Sequence, residues 1–343
     1  MTSIAPNHRN FKHRIKGQTA VLFTLAVVTI LGAMALTADV TVAYYNFERI
    51  QQAADAAALA GAAQLYPNPP PPPLIAAGCE GGSEAEEVAC TYATLDGALA
   101  SEVTTALLAP SGAETLQVSI QRNNIPVFFA SLLGRTLPSS AKASATSVGP
   151  NPIGAVHNGL FPAAMPPNPN GGALAFGTQI NLTENYSSGN FGWLDIPIGF
   201  HGATGASSAL HSSDAAANLN TNIASGCACD LAVNDWLYPL PGQSCGAISA
   251  AVATRANGST LPPALAGNEP QLVTVPVVDW STSHAGSSAV RLTGFAMVWL
   301  VGISNSAGAA TLTVQFVQFV SRYASAGGGP TDYGAYMRPY LVQ

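Results

Sequence analysis

Charged residues are scarce in this sequence. They make up 9% of its 343 residues, against about 25% in a typical soluble domain. Basic residues are scarcest beyond Gly17, where eight remain against eighteen acidic residues. A region with a balance of −10 lacks the basic surface that binds nucleic acid, so that class of function is excluded.

Catalytic and cofactor motifs are also absent. The sequence contains no G-x-S-x-G turn, H-E-x-x-H helix, phosphate-binding loop or dinucleotide fingerprint. It therefore predicts a protein that is not an enzyme and has no cofactor, metal or small-molecule substrate. Glycine and proline, by contrast, fill 58 positions, which favours a turn-rich and strand-rich body.

One long stretch near the N-terminus has no charge at all. Gln18 to Ala38 reads QTAVLFTLAVVTILGAMALTA, and a helix of that length, at about 1.5 Å per residue, covers the roughly 30 Å core of a bilayer. We interpret residues 18–38 as a transmembrane helix. A cleavable signal peptide, with AMA at 33–35 as its cleavage site, and a buried core helix are the alternatives.

The tail before this span, residues 1–17, carries the basic residues Arg9, Lys12, Arg14 and Lys16. None follows the span closely. The positive-inside rule therefore predicts a cytoplasmic N-terminus and an exported remainder.

Residues 39–66 contain no proline and a single glycine, so the helix is predicted to continue beyond the membrane as an alanine-rich extension. Its apolar positions recur three and four residues apart and form a packing seam: Phe47, Ile50, Ala54, Ala58, Gly61 and Leu65. Small side chains allow another backbone to approach closely, and that partner is either this protein's own sheet or a helix of another subunit. Asp39, at the outer end of the span, is expected to reach water rather than to relay protons.

A proline-rich linker at 67–78 leads into a small α+β module at 79–148. Cys79 and Cys90 are predicted to pair across a solvated acidic loop, with calcium binding in that loop as the alternative. Apolar residues four apart predict a helix at 91–109, followed by a strand at 114–122, a short helical turn at 125–134 and a strand at 139–149.

Residues 149–343 are predicted to form a β-rich exported domain. Its most regular strand patterns lie at 271–280, 289–303 and 310–323, and in the last the alternation changes phase at Val317, which predicts a bulge. Segments 220–230 and 246–255 are expected to be short helices or loops. The predicted fold class is α+β: a long N-terminal helix, a small pilin-like module and a β-rich C-terminal domain.

The histidines of the exported part are His157, His201, His211 and His284. The sequence HSSD at 211–214 is more typical of a helix start than of half a metal site. The aromatic residues of GNFGWLD at 189–195 are expected in the core rather than on a binding surface.

Cys227, Cys229 and Cys245 are candidates for a disulfide or, with Asp230, for a zinc site. C-x-C is tighter than the usual zinc spacing, so a disulfide from Cys245 to one of the other two is expected. That pairing leaves one thiol over, which is free to form an intermolecular bridge.

The N-terminal segment resembles the TadE/TadG-like proteins, a family of Flp-pilus assembly components of the bacterial tight-adherence system. The likeness rests on Gly17 before the span, Asp39 after it, the pair Tyr44 and Tyr45, and the tail RIQQAADAAALAGA. Processed prepilin-like members carry a glutamate five positions after the cleavage glycine, where this chain has Leu22. The resemblance therefore favours the unprocessed, membrane-anchored TadG-like branch.

This resemblance implies a non-enzymatic component of pilus assembly or surface attachment, crossing the bacterial inner membrane once, with the lipid bilayer and other pilus-assembly or pilin-like proteins as partners. A membrane-tethered binding module or adhesin that acts without a pilus is the main alternative. An exported metal-dependent hydrolase is the third hypothesis.

Overall fold

The computed structural model describes residues 14–342, except positions 68, 70, 109–113, 124, 126–128, 130–139, 173, 186–189, 241–244, 257–260, 263–264, 266, 283–287, 307–308, 322–323 and 329–330. It confirms the α+β class. Its helices are α1 (Arg14–Ala63), α2 (Glu84–Leu95), α3 (Ala215–Ser225) and α4 (Cys245–Ala256). The short helical turn predicted at 125–134 lies mostly outside the described residues.

The strands are, in chain order, β1 (Val103–Leu108), β2 (Thr115–Arg122), β3 (Ala141–Val148), β4 (Ile153–His157), β5 (Ala163–Ala164), β6 (Gln179–Thr183), β7 (Gly192–Asp195), β8 (Asp230–Ala232), β9 (Trp236–Pro239), β10 (Leu272–Asp279), β11 (Val290–Ser306), β12 (Ala309–Val317), β13 (Phe319–Val320), β14 (Ala324–Gly328), β15 (Ala335–Tyr336) and β16 (Tyr340–Val342).

Helix α1 is continuous over 50 residues, so the predicted extension of the span is confirmed. Alanine and other good helix formers maintain it where the apolar run ends. The helix closes in a turn at Gln64 and Leu65, whose N–H groups donate to the carbonyls of Gly61 and Ala62. Pro67 follows, and proline cannot continue the hydrogen-bonding pattern of a helix.

The helix predicted at 91–109 is wrong, because the chain forms two elements there. Helix α2 begins earlier, at a capping box in which Ser83 and Glu86 satisfy each other's backbone N–H groups. The acidic segment predicted as a solvated loop supplies its first turn, where carboxylates favour the helix dipole. Gly97, with φ of 90°, then breaks the helix, and the β-branched residues that follow pair as strand β1.

The module at 79–148 is built on an antiparallel sheet of order β1-β2-β3-β16. One face of this sheet, with Leu116, Val118 and Ile120 of β2, packs against α1 and α2 in a common core. Strand β16 comes from the end of the chain, and its Tyr340 pairs with Val148 of β3. A long helix on a small sheet is the pilin-like arrangement that the sequence predicts.

The remaining strands form a β-rich region around a sheet of order β5-β7-β9-β11-β12-β6, with β10 also paired to β11. Alternate residues of β11 enter two separate cores: Phe295 and Met297 in one, Ala296 and Val298 in the other. Helices α3 and α4 cover the second face, and residues of β4 and β8 cover the first. The central sheet is therefore buried on both faces.

Val317 is the last residue of β12, and the bulge predicted there is replaced by a change of sheet. Residues Phe319 and Val320 pair in parallel with Ala335 and Tyr336 of β15. A shift of register does occur in β11, between Leu300 and Gly302. The change of phase in the sequence therefore marks a strand end.

Candidate functional site: the long helix and the module packed on it

The first half of α1 exposes large apolar side chains on all sides. From Thr19 to Ala63 the helix is long and apolar enough to cross a membrane, and none of the residues in its most apolar window is buried. Its exposed apolar side chains include Val21, Leu22, Phe23, Leu25, Val28, Ile30, Leu31, Met34 and Leu36. Such a surface is stable in lipid and unfavourable in water, as expected of a membrane span.

The second half of α1 buries its small side chains. Ile50, Ala54 and Ala58 of the predicted seam are at most 1% exposed, as are Ala53 and Ala57. These residues share one core with α2, β2 and β3. The structure thus places the chain's own module on this face, which is the internal partner that the sequence left open.

The two end residues of the predicted seam, Phe47 and Leu65, are less buried than its middle. Leu65 is half-buried, whereas Phe47 is 42% exposed and lies beside the seam. Asn46 takes the inward position one residue earlier, because the helix turns by about 100° per residue and the seam alternates steps of three and four. Its polar side chain is satisfied there, since it donates to the Val42 carbonyl at 2.9 Å.

Gly61 lies where α1 meets both α2 and β2. A β-carbon at this position would stand 2.2 Å from Leu116 Cδ2 and 2.6 Å from the backbone oxygen of Ala85. The glycine is therefore required by close approach of two neighbouring elements. Gly32, in the membrane half of the same helix, has no atom within 4 Å of that position.

Asp39 lies at the junction of the two halves. It is only 7% exposed, which corrects the expectation that it reaches water. Its carboxylate oxygens accept a hydrogen bond from the Phe129 N–H at 3.1 and 3.3 Å. No local sequence pattern indicates this contact, because the two residues lie 90 positions apart.

A second polar contact ties the module to α1 one to two turns farther along. The Arg122 guanidinium donates to Asn46 Oδ1 at 3.4 Å, to the Gly97 carbonyl at 2.6 Å and to Glu102 Oε2 at 3.1 Å. Burial raises the pKa of Glu102, but hydrogen bonds from Arg122 and from the Leu99 N–H lower the pKa by more. Arg122 and Asn46 were not identified from the sequence, because the predicted seam has Phe47 rather than Asn46 at the inward position.

The structure joins Cys79 to Cys90 and Cys227 to Cys229 in disulfides. The second pair corrects the expected bond to Cys245 and removes both thiols from the proposed zinc set. Residues two apart in an extended chain point to the same side, and both of these cysteines are buried in one core. Cys245 is the first residue of α4, and its side chain lies outside the described positions.

The histidines pair with aspartates. Asp230 accepts from Nδ1 of His157 at 2.6 Å and from Nδ1 of His201 at 2.7 Å. The hydrogen bond from His157, and then that from His201, lower the pKa of Asp230. Among the described residues, no three His, Cys, Asp or Glu side chains are grouped so that they could hold a metal ion.

His211 donates to the fully buried Asp195 at 2.6 Å and stacks on the Tyr238 ring. Asp214 occupies the N-cap position of α3, as the helix-start interpretation of HSSD requires, but its side chain makes no capping hydrogen bond. His284 lies outside the described residues.

Phe191, Trp193 and Leu194 are all 0% exposed, so the GNFGWLD segment belongs to the core. In the β-rich domain, the buried aromatic residues pack the core and the His–Asp pairs attach loops to strands. The long exposed apolar surface and the buried seam that suit a membrane-linked role lie on α1.

Comparison with known protein families also points to α1. Residues 17–64 match the family model described as "Putative Flp pilus-assembly TadE/G-like". The match begins at the glycine before the span and ends at the close of α1, so it confirms the resemblance over the segment that carried it. No curated protein and no solved structure matches the chain.

Proposed function

We propose that this protein is a non-enzymatic, membrane-anchored component of a bacterial tight-adherence (Flp-type) pilus assembly or surface-attachment system. The family match over residues 17–64 carries the proposal, because it covers both the span and the helix surface on which the module packs. The role is mechanical: α1 anchors the chain and holds the module and the β-rich domain at a fixed distance from the membrane.

The proposed location is the inner membrane, with a cytoplasmic N-terminus and an exported remainder. Arg14 and Lys16 precede the apolar half of α1, and the next basic residue is Arg49; this asymmetry supports that orientation. Protease added to spheroplasts should digest the region beyond Gly61 and spare a tag at the N-terminus. The reverse pattern would contradict the orientation.

Partners are proposed to be other pilus-assembly or pilin-like proteins. The seam of α1 is occupied by the module itself, so contacts with partners fall to the membrane half of α1 and to the outer surfaces of the exported regions. This assignment leaves the lipid bilayer as the partner of most of the exposed apolar surface of α1.

The function is tested by deleting the gene in its own bacterium and restoring it in three forms. These are the native chain, a chain whose residues 14–38 are replaced by a cleavable signal peptide, and a chain with an unrelated span of equal length. Pili are counted by electron microscopy, and surface attachment is measured on the same cells.

We expect the deletion and the unanchored form to lose both pili and attachment, and the exchanged span to restore them. Normal pili with lost attachment would favour the alternative, a tethered adhesin that acts without a pilus. Normal pili together with normal attachment in the deletion strain would contradict both functions.

A further inference from the structure

The exposed apolar surface of α1 continues past Asp39. Val40, Tyr44 and Tyr45 are each about 60% exposed, and no charge occurs between Asp39 and Glu48. From Val21 to Tyr45 the surface extends over about 37 Å at about 1.5 Å per residue, which exceeds the roughly 30 Å hydrocarbon core. Tyrosines are typical of the boundary between lipid and water. The outer boundary of the membrane therefore lies near Tyr44 and Tyr45.

Asp39 then lies about 8 to 9 Å closer to the bilayer centre than this boundary, by the same rise per residue. A carboxylate at such a depth is unfavourable unless it is shielded and hydrogen-bonded. The structure provides both conditions, since Asp39 is 7% exposed and accepts the Phe129 N–H.

Phe129 is held at the same depth by this hydrogen bond. Ile125, four residues earlier, is buried in the core of the module, whereas the Phe129 side chain is 44% exposed. The sequence from Ile125 to Gly134, IPVFFASLLG, has no charge. An exposed phenylalanine fixed beside a membrane span has lipid as its neighbour.

We propose that Phe129 is a second membrane contact, separate from the span. Its backbone N–H donates to Asp39, and its ring enters the boundary between headgroups and acyl chains of the adjacent leaflet. The bilayer itself is the occupant of this surface, because Phe129 is hydrogen-bonded to Asp39 of α1, the helix whose side chains Leu36 and Val40 are exposed on either side of that residue. Together the two contacts prevent the module from rotating or rising relative to the membrane. The proposal requires the span but not the pilus function.

The test uses the full chain in vesicles of phosphatidylcholine and phosphatidylglycerol. In a Cys245→Ala background, single cysteines replace Phe129, Tyr45 or Leu108 and carry an environment-sensitive fluorophore. Quenching is measured with a nitroxide on the upper acyl chain of the lipid and with iodide in the buffer. Leu108 is the matched control, because it is 41% exposed but lies opposite Thr115, at the sheet end where Gly149 packs near Leu65.

We expect the probes at 129 and 45 to be quenched by the lipid nitroxide and to be severalfold less accessible to iodide than the probe at 108. A probe at 129 that behaves like the one at 108 would overturn the proposal. Shielding of position 129 from both quenchers would also overturn it, because protein rather than lipid would then cover the side chain.

A second variant tests the role of the carboxylate. Asp39→Ala in the labelled Phe129→Cys chain removes the acceptor, so lipid quenching at position 129 should fall severalfold while quenching at position 45, measured in the matching chain, stays unchanged. Unchanged quenching at position 129 would show that Asp39 does not hold the contact. Pili play no part in these measurements, so failure of the pilus function would leave the result intact.

Discussion

The two halves of α1 share one continuous helix and have opposite surroundings. In the first half, large side chains such as Leu22 and Phe23 are more than 60% exposed, whereas in the second half Ala54 and Ala58 are completely buried. In a soluble helix, large apolar residues face the core and small or polar ones face the solvent. The comparison shows that here the side-chain size is set by the neighbour: lipid for the first half, protein backbone for the second.

This difference has a physical basis. Lipid accommodates large side chains without a fixed shape, so bulk adds favourable apolar contact. A sheet and a helix packed on the same face leave fixed space, and small residues permit their close approach. The same chemical change should therefore have opposite consequences in the two halves.

The largest effect is expected from Ala57→Leu in the buried half. Leucine and alanine have similar helix propensities, so the change isolates packing, and overfilling the core should lower the free energy of unfolding by about 3 kcal/mol. Ala26→Leu, at an exposed position of the span, should change it by less than about 0.5 kcal/mol. Equal effects at the two positions would contradict the comparison.

All four tryptophans lie beyond residue 190, so their fluorescence does not monitor the module. Pulse proteolysis of the full chain in detergent micelles and urea, with cleavage mapped within residues 79–148 by mass spectrometry, measures the required free energy.

A smaller effect is expected from Gly61→Ala, with Gly32→Ala as its matched control. The clash with Leu116 and with the backbone of Ala85 should cost about 1–3 kcal/mol, offset by up to about 1 kcal/mol of helix propensity. A net loss of about 1–2 kcal/mol is expected at Gly61, and none at Gly32. The same proteolysis assay checks both, and a stabilising Gly61→Ala would show that the contact between α1 and α2 is looser than described.

The smallest effect concerns pH. The pKa of Glu102 is lowered in the folded protein. Its contribution to stability is therefore complete above the ordinary carboxyl pKa of about 4.3 and is lost as the pH falls through its pKa in the folded protein. On acidification the free energy of unfolding of the module should therefore fall by about 0.5–1 kcal/mol, while the helicity of the span stays unchanged. Glu102→Gln should flatten this dependence in the same assay between pH 7 and 3, and an unchanged profile would assign it to other carboxylates.

The sequence predicted α1 well because its pattern is local. An uncharged run, the absence of proline and a spacing of three and four specify both the helix and most of the seam. The helix predicted at 91–109 failed for a related reason: leucines four apart satisfy a helical pattern even when Gly97 interrupts it. The alternative outcome, strand β1, depends on pairing with β2.

The contacts that complete the site are nonlocal, and the sequence contains no pattern that specifies them. Phe129 meets Asp39, and Arg122 meets Asn46, across intervals of 90 and 76 residues. Each of these contacts is a single hydrogen bond to a carboxylate or amide group, so no characteristic spacing or composition in the sequence indicates it. The short C-x-C disulfide was also missed, because the extended conformation that brings Cys227 and Cys229 together depends on their bridges to Leu160 and Phe200.

Strand β16 has a mechanical consequence. It lies beside β3, so the β-rich domain is tied to the module both by the covalent connection after Val148 and by a hydrogen-bonded strand. Tyr66, just after α1, links the domain to the helix directly, since its hydroxyl donates to the Met337 carbonyl just before β16. A tensile load on the domain would be shared by the sheet and transmitted to α1.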